Sequence, residues 1–117
     1  MRILIVEDEL LIAFDLEMAL EDAGHQVVGT ATTEDKAVEL ALLHQPDLII
    51  VDLRLKDGGC GRAAVKQVQA SQDVEVIFAS GNLDPVMRVR LEEFEPVAML
   101  SKPYDSNELV KLVDRAA

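Results

Sequence analysis

The sequence predicts one α/β domain over residues 1–117, a doubly wound five-stranded parallel sheet in the order 2-1-3-4-5 with helices on both faces. Five short apolar runs, most of them rich in β-branched residues, each precede a stretch with helical periodicity. Strands that alternate with helices need crossover connections, which produce a parallel sheet, and right-handed crossovers favour this strand order. No repeat, linker or low-complexity tract divides the chain, which is long enough to form one hydrophobic core.

The first half of the chain begins with two strands and two helices. Residues 3–6 form the first strand, and residues 26–31 form a less hydrophobic strand that suits a position near the sheet edge. Between them, helical spacing begins at residue 11 and stops at Gly24. The predicted inward residues of this helix are Ile12, Leu16, Ala19 or Leu20, and Ala23. Thr32, followed three residues later by Asp35, predicts the start of a second helix that ends near residue 44.

The third strand is predicted at residues 48–51, which read Leu-Ile-Ile-Val and end at Asp52. An unbroken apolar run of this kind suits a central strand with both faces covered. Residues 53–61 form a loop with three glycines, which permit backbone turns that other residues resist. These glycines do not follow the pattern of a phosphate-binding loop. A short helix is predicted over residues 62–70.

The last part of the chain repeats the alternation twice. Residues 74–79 form the fourth strand, and Pro85 opens a helix that extends to about residue 94. Residues 97–100 form a short fifth strand. Asp105 and Glu108 then have the spacing of a capping box at the start of the final helix.

The composition narrows the classes of partner. Lys and Arg number 11 and Asp and Glu number 22, so the net charge is −11, and the chain is expected to repel nucleic acids and anionic membranes. Few aromatic residues are present for stacking on bases. Cys60 is alone, which excludes an internal disulfide. A chain this acidic is expected to have proteins or cations as partners. The lack of a signal peptide or membrane-length apolar run predicts a cytoplasmic protein.

Polar residues collect where the predicted strands end. Glu7 and Asp8 follow the first strand, and Asp52 follows the third; in the predicted order these strands are neighbours. Two unit charges 4 Å apart repel by about 4 kcal/mol at an effective dielectric constant of 20. The three carboxylates must therefore hold a proton, pair with a cation or bind a metal. All-oxygen ligation favours a hard ion such as Mg²⁺, with Mn²⁺ as an alternative.

The fourth and fifth strands bring Ser80 and Lys102 to the same edge. A lysine and a hydroxyl can both bind phosphoryl oxygens, and together with carboxylates and a hard metal they indicate phosphoryl transfer. Asp52 is the candidate nucleophile because aspartate forms acyl phosphates. No histidine is predicted at a strand end to act as a base, and an ionised carboxylate needs none.

Each of these residues alone has an ordinary explanation. Glu7 and Asp8 could stabilise the positive end of the following helix, Ser80 could belong to a turn, and Lys102 could be a surface lysine. The functional interpretation depends on all of these residues lying together at one edge of the sheet.

On these residues the chain resembles the receiver domains of two-component response regulators, which have a flavodoxin-like (βα)5 fold. The resemblance implies that Asp52 accepts a phosphoryl group from a sensor histidine kinase or phosphotransfer protein. It implies that Asp8, Asp52 and the backbone carbonyl of Arg54 bind Mg²⁺ and that Glu7 acts mainly through water. It further implies that Ser80 moves onto the phosphoryl group, that Lys102 pairs with it, and that the Lys102-Pro103 peptide bond is cis.

Two departures from the family pattern concern the switch. Leu55 and Lys56 replace a frequent Met-Pro pair, and Met99 occupies the position of a frequent aromatic residue. The run Phe78-Ala79-Ser80-Gly81 resembles a subgroup with a Phe-Ala-Thr/Ser-Gly motif and no such aromatic residue. We therefore assign the switch region to Gly81, Asn82 and Met99, with Gly81 allowing residues 81–85 to change conformation when Ser80 moves.

Other functions use similar residues. The main interpretation is a domain that catalyses its own phosphorylation and dephosphorylation, rather than a turnover enzyme. An aspartyl-phosphate phosphatase would need an acid where Arg54 stands. A scaffold or phosphate sink without a dedicated output is the other alternative, and the sequence identifies no downstream partner.

Overall fold

The computed structural model describes residues 1–55, 58–81 and 83–117. The strands are β1 (Arg2–Val6), β2 (Gln26–Ala31), β3 (Leu48–Val51), β4 (Glu75–Ser80) and β5 (Ala98–Ser101). The helices are α1 (Leu10–Asp22), α2 (Glu34–His44), α3 (Gly61–Gln69), α4 (Pro85–Leu91) and α5 (Ser106–Ala116), and a 3₁₀ turn (Glu92–Phe94) extends α4.

The five strands form one parallel sheet in the order β2-β1-β3-β4-β5, which confirms the predicted fold. β3 is central, and all four of its side chains are buried, as an uninterrupted apolar run requires. Val51 at the end of β3 pairs with Val6 of β1 on one side and with Phe78 of β4 on the other. The residues that follow β1 and β3 therefore lie side by side.

The sheet separates two apolar cores because successive strand residues point to opposite faces. On one face, Leu4, Ile49 and Phe78 pack with α2, α3 and α4. On the other face, Ile5 and Ile50 pack with α1 and α5. Each fully buried aliphatic or aromatic side chain contributes about 1.5–3 kcal/mol relative to its exposed state.

α1 buries a face different from the predicted one. Its buried residues are Ala13, Leu16 and Leu20. Ile12 and Ala19 are half-buried and Ala23 is exposed, so only Leu16 and Leu20 were assigned correctly. The helix carries more apolar residues than one contact face can cover, and exposed side chains at Leu10, Leu11, Phe14 and Met18 account for the excess. Gly24 ends the segment with φ of +94°, a conformation that favours glycine.

α2 begins one residue later than predicted. Thr33, not Thr32, is the N-cap, since its side-chain oxygen accepts a hydrogen bond from the backbone N–H of Lys36 at 3.2 Å. The predicted bounds of the second and third strands match the observed ones, and the remaining boundaries differ by at most three residues; the helix from Pro85 becomes 3₁₀ after Leu91. Within the described residues, no helix has the length and apolarity to cross a bilayer.

We expect Thr33→Ala to lower the free energy of unfolding by about 1 kcal/mol, because the Lys36 amide loses its partner. Thr32→Ala is the matched control and should change stability by less than about 0.5 kcal/mol. Urea unfolding of both variants measures the difference, and a larger loss for Thr32→Ala would contradict the observed cap.

Candidate functional site

Three carboxylates meet at the carboxyl edge of the sheet. One oxygen each from Glu7, Asp8 and Asp52 lies within 4.8 Å of the others. Glu7 and Asp52 are 4% and 8% exposed, and Asp8 is half-buried. The strand ladder continues into the site, since the backbone N–H of Asp52 donates to the carbonyl of Val6 at 2.9 Å. The predicted juxtaposition of the acids is therefore present in the structure.

Lys102 reaches the acid cluster from the end of β5. Its Nζ lies 2.6 Å from Oε1 of Glu7 and 2.8 Å from Oδ2 of Asp52. Its backbone N–H donates to the carbonyl of Ser80 at 3.0 Å, which fixes the start of the side chain beside β4. The Lys102-Pro103 peptide bond is cis. One ammonium thus bridges two of the three carboxylates.

The buried charges shift the pKa values of neighbouring groups. Burial raises the pKa of Glu7 above its ordinary 4.5, although hydrogen bonding to Lys102 opposes the shift. Burial also lowers the pKa of Lys102, but its hydrogen bonds to Asp52 and Glu7 outweigh this, so the net pKa is raised. Three carboxylates against one ammonium leave two formal negative charges, a deficit that suits a divalent cation.

Tyr104 is a neighbour of the site that the sequence did not identify. Burial, with a smaller effect from the charge of Glu7, raises the pKa of its phenol to about 12. Its side chain packs with the core between the sheet and α1 and α5. The only signal in the sequence was its position two residues after Lys102.

Glu7→Gln tests the electrostatics of the metal-free cluster. Because the folded pKa of Glu7 is raised, protonation of Glu7 favours the folded state, and this contribution is lost as pH rises from 4.5 through the raised pKa. The variant does not titrate at this position, so its unfolding free energy relative to the wild type should increase with pH across that window. Urea unfolding at a series of pH values measures the trend. Glu39→Gln, on the exposed face of α2, is the control and should show no such trend, and a constant difference for Glu7→Gln would contradict the assignment.

The backbone of Arg54 faces the acid cluster at Asp52. It pairs with Cys60 in an isolated antiparallel bridge, in which Leu55 N–H donates to Gly59 and Gly61 N–H donates to Leu53. In this arrangement the N–H and carbonyl of Arg54 point away from Cys60. The N–H donates to Oδ1 of Asp52 at 3.3 Å. Leu55 is buried, and Lys56 lies outside the described residues.

The switch residues lie on the β4 and β5 side. Ser80 is fully buried at the end of β4, and its carbonyl accepts from Lys102. Gly81 is exposed, and a Cβ placed on it would meet no atom within 4 Å. The observed conformation therefore does not require glycine there, and the hinge at Gly81 stays a prediction. Asn82 lies outside the described residues.

Met99 is partly buried where an aromatic switch would stand. It pairs with Phe78 across β4 and β5 and packs on the core that includes α4. The ring of Phe78 in turn contacts that of Phe94, with centroids 5.8 Å apart. Met99 is thus an interior packing residue in this structure.

The fold and the site define a class of small α/β domains with an acidic pocket and a lysine at the carboxyl edge of a parallel sheet. A model of the family described as the response regulator receiver domain matches residues 3–114. The chain therefore belongs to the response regulator receiver domain family.

Several curated proteins share this domain. The chain is 37% identical to the phyllosphere-induced regulator PhyR of Methylorubrum extorquens, over 98% of the chain and 43% of the relative. It is 35% identical to the transcriptional regulatory protein PdtaR of Mycobacterium tuberculosis, over 98% of the chain and 56% of the relative. The chain thus spans about half the length of these curated relatives.

Solved structures agree with the fold. The receiver domain of Erythrobacter litoralis PhyR superposes with a TM-score of 0.86 at 32% identity, covering 98% of this chain and 88% of that one. The PhyR response regulator of Brucella abortus gives a TM-score of 0.83 at 34% identity, covering 98% and 46%.

Proposed function

We propose that Asp52 accepts a phosphoryl group from a phosphohistidine on a sensor histidine kinase or phosphotransfer protein, in a Mg²⁺-dependent reaction. The observation that carries this proposal is the bridge that Lys102 makes between Glu7 and Asp52 beside Asp8. It supports a carboxylate acceptor next to a cation that can hold phosphoryl oxygens. Residues 1–117 constitute the whole phosphoacceptor unit in this proposal.

The residues fit a hard divalent ion. The donor set is all oxygen, and it holds more negative charge than Lys102 neutralises. Asp8, Asp52 and the Arg54 carbonyl would hold Mg²⁺, or Mn²⁺, and Glu7 would act through water. Bound there, the ion would offset charge on the carboxylates and on the phosphoryl oxygens.

The transfer needs no general base from this chain. An oxygen of Asp52 forms a bond to phosphorus while the bond from phosphorus to the donor imidazole nitrogen breaks, and the nitrogen keeps that electron pair. Lys102 lies 2.8 Å from Oδ2 of Asp52 and can pair with the negative charge of the transferred phosphoryl group. The Arg54 N–H holds the other oxygen, Oδ1.

The readout follows from the added charge. Phosphorylation converts a group of charge −1 into one near −2 with additional acceptor oxygens. In this proposal Lys102 and the Ser80 hydroxyl respond to that charge, and both residues belong to the β4 and β5 side of the sheet. Moving a two-state equilibrium from mostly off to mostly on takes about 5 kcal/mol of differential interaction. The region of β4, α4 and β5 is the proposed output surface.

We expect backbone amide shifts of residues 81–90 to change when a phosphoryl mimic such as beryllofluoride binds with Mg²⁺, because Ser80 pulls on the segment that follows it. Nuclear magnetic resonance of the labelled protein with and without the mimic measures this. Shifts confined to residues around Asp52 would contradict a hinge at Gly81.

The output is proposed to act on a protein in the cytoplasm. PhyR of Bartonella quintana, 34% identical over 98% of this chain, is described as an anti-anti-sigma factor, and PdtaR is described as a transcriptional regulatory protein. With a net charge of −11, this domain is expected to bind its target by protein contacts and not to bind nucleic acid or membrane directly.

Intact-mass spectrometry tests the proposal. The protein is incubated with Mg²⁺ and either acetyl phosphate or a phosphorylated histidine kinase. One added phosphoryl group is expected, lost on treatment with hydroxylamine and prevented by a chelator. Peptide mapping should place it at Asp52. Failure to take up phosphate from any donor would favour a scaffold, and uptake on another residue would contradict the assignment.

A further inference from the structure

We propose that Glu34, at the start of α2, is a positioning residue for the phosphoacceptor. Through the backbone of Cys60 it holds the first residue of α3 against the backbone of Asp52. This inference rests on the proposed phosphoryl acceptance by Asp52. It concerns a residue of α2 whose described hydrogen bonds go to Cys60 and Gln67.

The start of α3 is in direct contact with the phosphoacceptor. A Cβ built on Gly61 would lie 1.9 Å from the carbonyl oxygen of Asp52 and 2.9 Å from its carbonyl carbon. It would also lie 2.6 Å from Cγ2 of Val51. Only glycine allows this approach, so a displacement of the backbone at Gly61 changes the position of Asp52.

Cys60, immediately before Gly61, needs a partner from outside its loop. In the bridge with Arg54, the hydrogen bonds are made by the neighbouring residues, so the N–H of Cys60 points away from Arg54. The side chain of Cys60 makes no capping bond to α3. Oε1 of Glu34 accepts the outward N–H at 3.0 Å.

The same carboxylate also contacts α3 further along. Oε2 of Glu34 lies 3.5 Å from the Nε2 donor of Gln67, a longer and weaker contact. Glu34 is half-buried in the first turn of α2, where its charge is favoured by the helix dipole. The residue can therefore anchor the loop after β3 without disturbing its own helix.

Two substitutions at Glu34 separate the effect of side-chain length from the effect of its negative charge. Glu34→Asp keeps the charge but shortens the side chain by one methylene, so it cannot reach Cys60 from the present backbone position. Glu34→Gln keeps the reach and an acceptor oxygen but removes the charge. Glu39→Gln removes a charge from the exposed face of the same helix, where Glu39 pairs with Lys36 at 3.5 Å, and it is the matched control.

The readouts are the rate of phosphorylation by acetyl phosphate with Mg²⁺ and the affinity for Mn²⁺ measured by paramagnetic broadening. For Glu34→Asp we expect the rate to fall about tenfold, as small displacements of a reacting group can cause, and Mn²⁺ to bind more weakly. Glu34→Gln and Glu39→Gln should retain wild-type values of both. Circular dichroism and urea unfolding establish that the variants are folded. A purely structural role would lower stability and leave Mn²⁺ affinity unchanged.

The outcomes distinguish this inference from the proposed function. Wild-type rate and Mn²⁺ affinity in Glu34→Asp would overturn the positioning role and leave phosphorylation of Asp52 standing. Equal losses in Glu34→Gln and Glu34→Asp would also overturn it, because charge and not the bond to Cys60 would then be responsible. A wild-type protein that takes up no phosphoryl group would contradict the proposed function, and the Mn²⁺ affinity of Glu34→Asp would still decide whether Glu34 positions the acids.

Discussion

Asp52→Asn is expected to lower the rate of phosphoryl uptake by on the order of a thousandfold or more, as the loss of a covalent nucleophile does in enzymes. The amide has nearly the shape of the carboxylate and can still accept a hydrogen bond from Lys102, which lies 2.8 Å from Oδ2 of Asp52. It lacks the anionic oxygen that forms the acyl phosphate. The variant therefore changes the chemistry with little change in the packing around a residue that is 8% exposed.

The measurement is incorporation of labelled phosphate from a phosphorylated kinase and from acetyl phosphate. Asp35→Asn, an exposed aspartate in the first turn of α2, is the matched control and should behave as the wild type. Full incorporation into Asp52→Asn would show that another residue is the acceptor, and Asp8 would be the next to test.

Lys102→Met is expected to lower the free energy of unfolding of the metal-free protein by about 3 kcal/mol at neutral pH, because removal of one partner leaves buried charges unpaired. The side chain of Lys102 is 17% exposed, and the side chains of its partners Glu7 and Asp52 are 6% and 10% exposed. Methionine retains the apolar stem of the side chain, so the loss reports mainly on charge. Mg²⁺ should restore part of the stability by binding the freed carboxylates.

The pH dependence identifies the cause of that loss. Protonation of the carboxylates removes the repulsion, so the difference between Lys102→Met and the wild type should shrink as pH falls. Lys36→Met is the control: Lys36 is 52% exposed and 3.5 Å from Glu39, and its removal should cost less than about 1 kcal/mol. A loss for Lys102→Met that is equal at all pH values would point to lost packing instead.

The fold was predictable because local and global signals agree. The four residues from Leu48 to Val51 are apolar without interruption, and a central parallel strand buries both faces of such a run. The buried face of α1 was less predictable, since apolar residues surround most of the helix and the packing partner decides which of them are covered. Similarly, Thr32 and Thr33 are both suitable caps, and the backbone geometry selects the second.

The acids and Lys102 were predictable because parallel strands end at one edge of the sheet, so residues distant in sequence converge there. Glu34 and Tyr104 were not predictable in this way. Glu34 lies on α2 and acts through the backbone N–H of Cys60. The side chain of Tyr104 packs with the core between the sheet and α1 and α5. Such contacts depend on how helices pack over the sheet, which no spacing in the sequence specifies.

The strand order also has a consequence for how the molecule fluctuates. β1 and β3 each have a hydrogen-bonded strand on both sides, whereas β5 has only β4. Amide hydrogens of the inner strands should exchange with solvent only when the whole domain opens, while those of the outer strand exchange through smaller local openings. The carboxylates thus follow the most protected strands, and under the proposed function repeated phosphorylation and dephosphorylation would rearrange the outer part of the sheet without unfolding its inner strands.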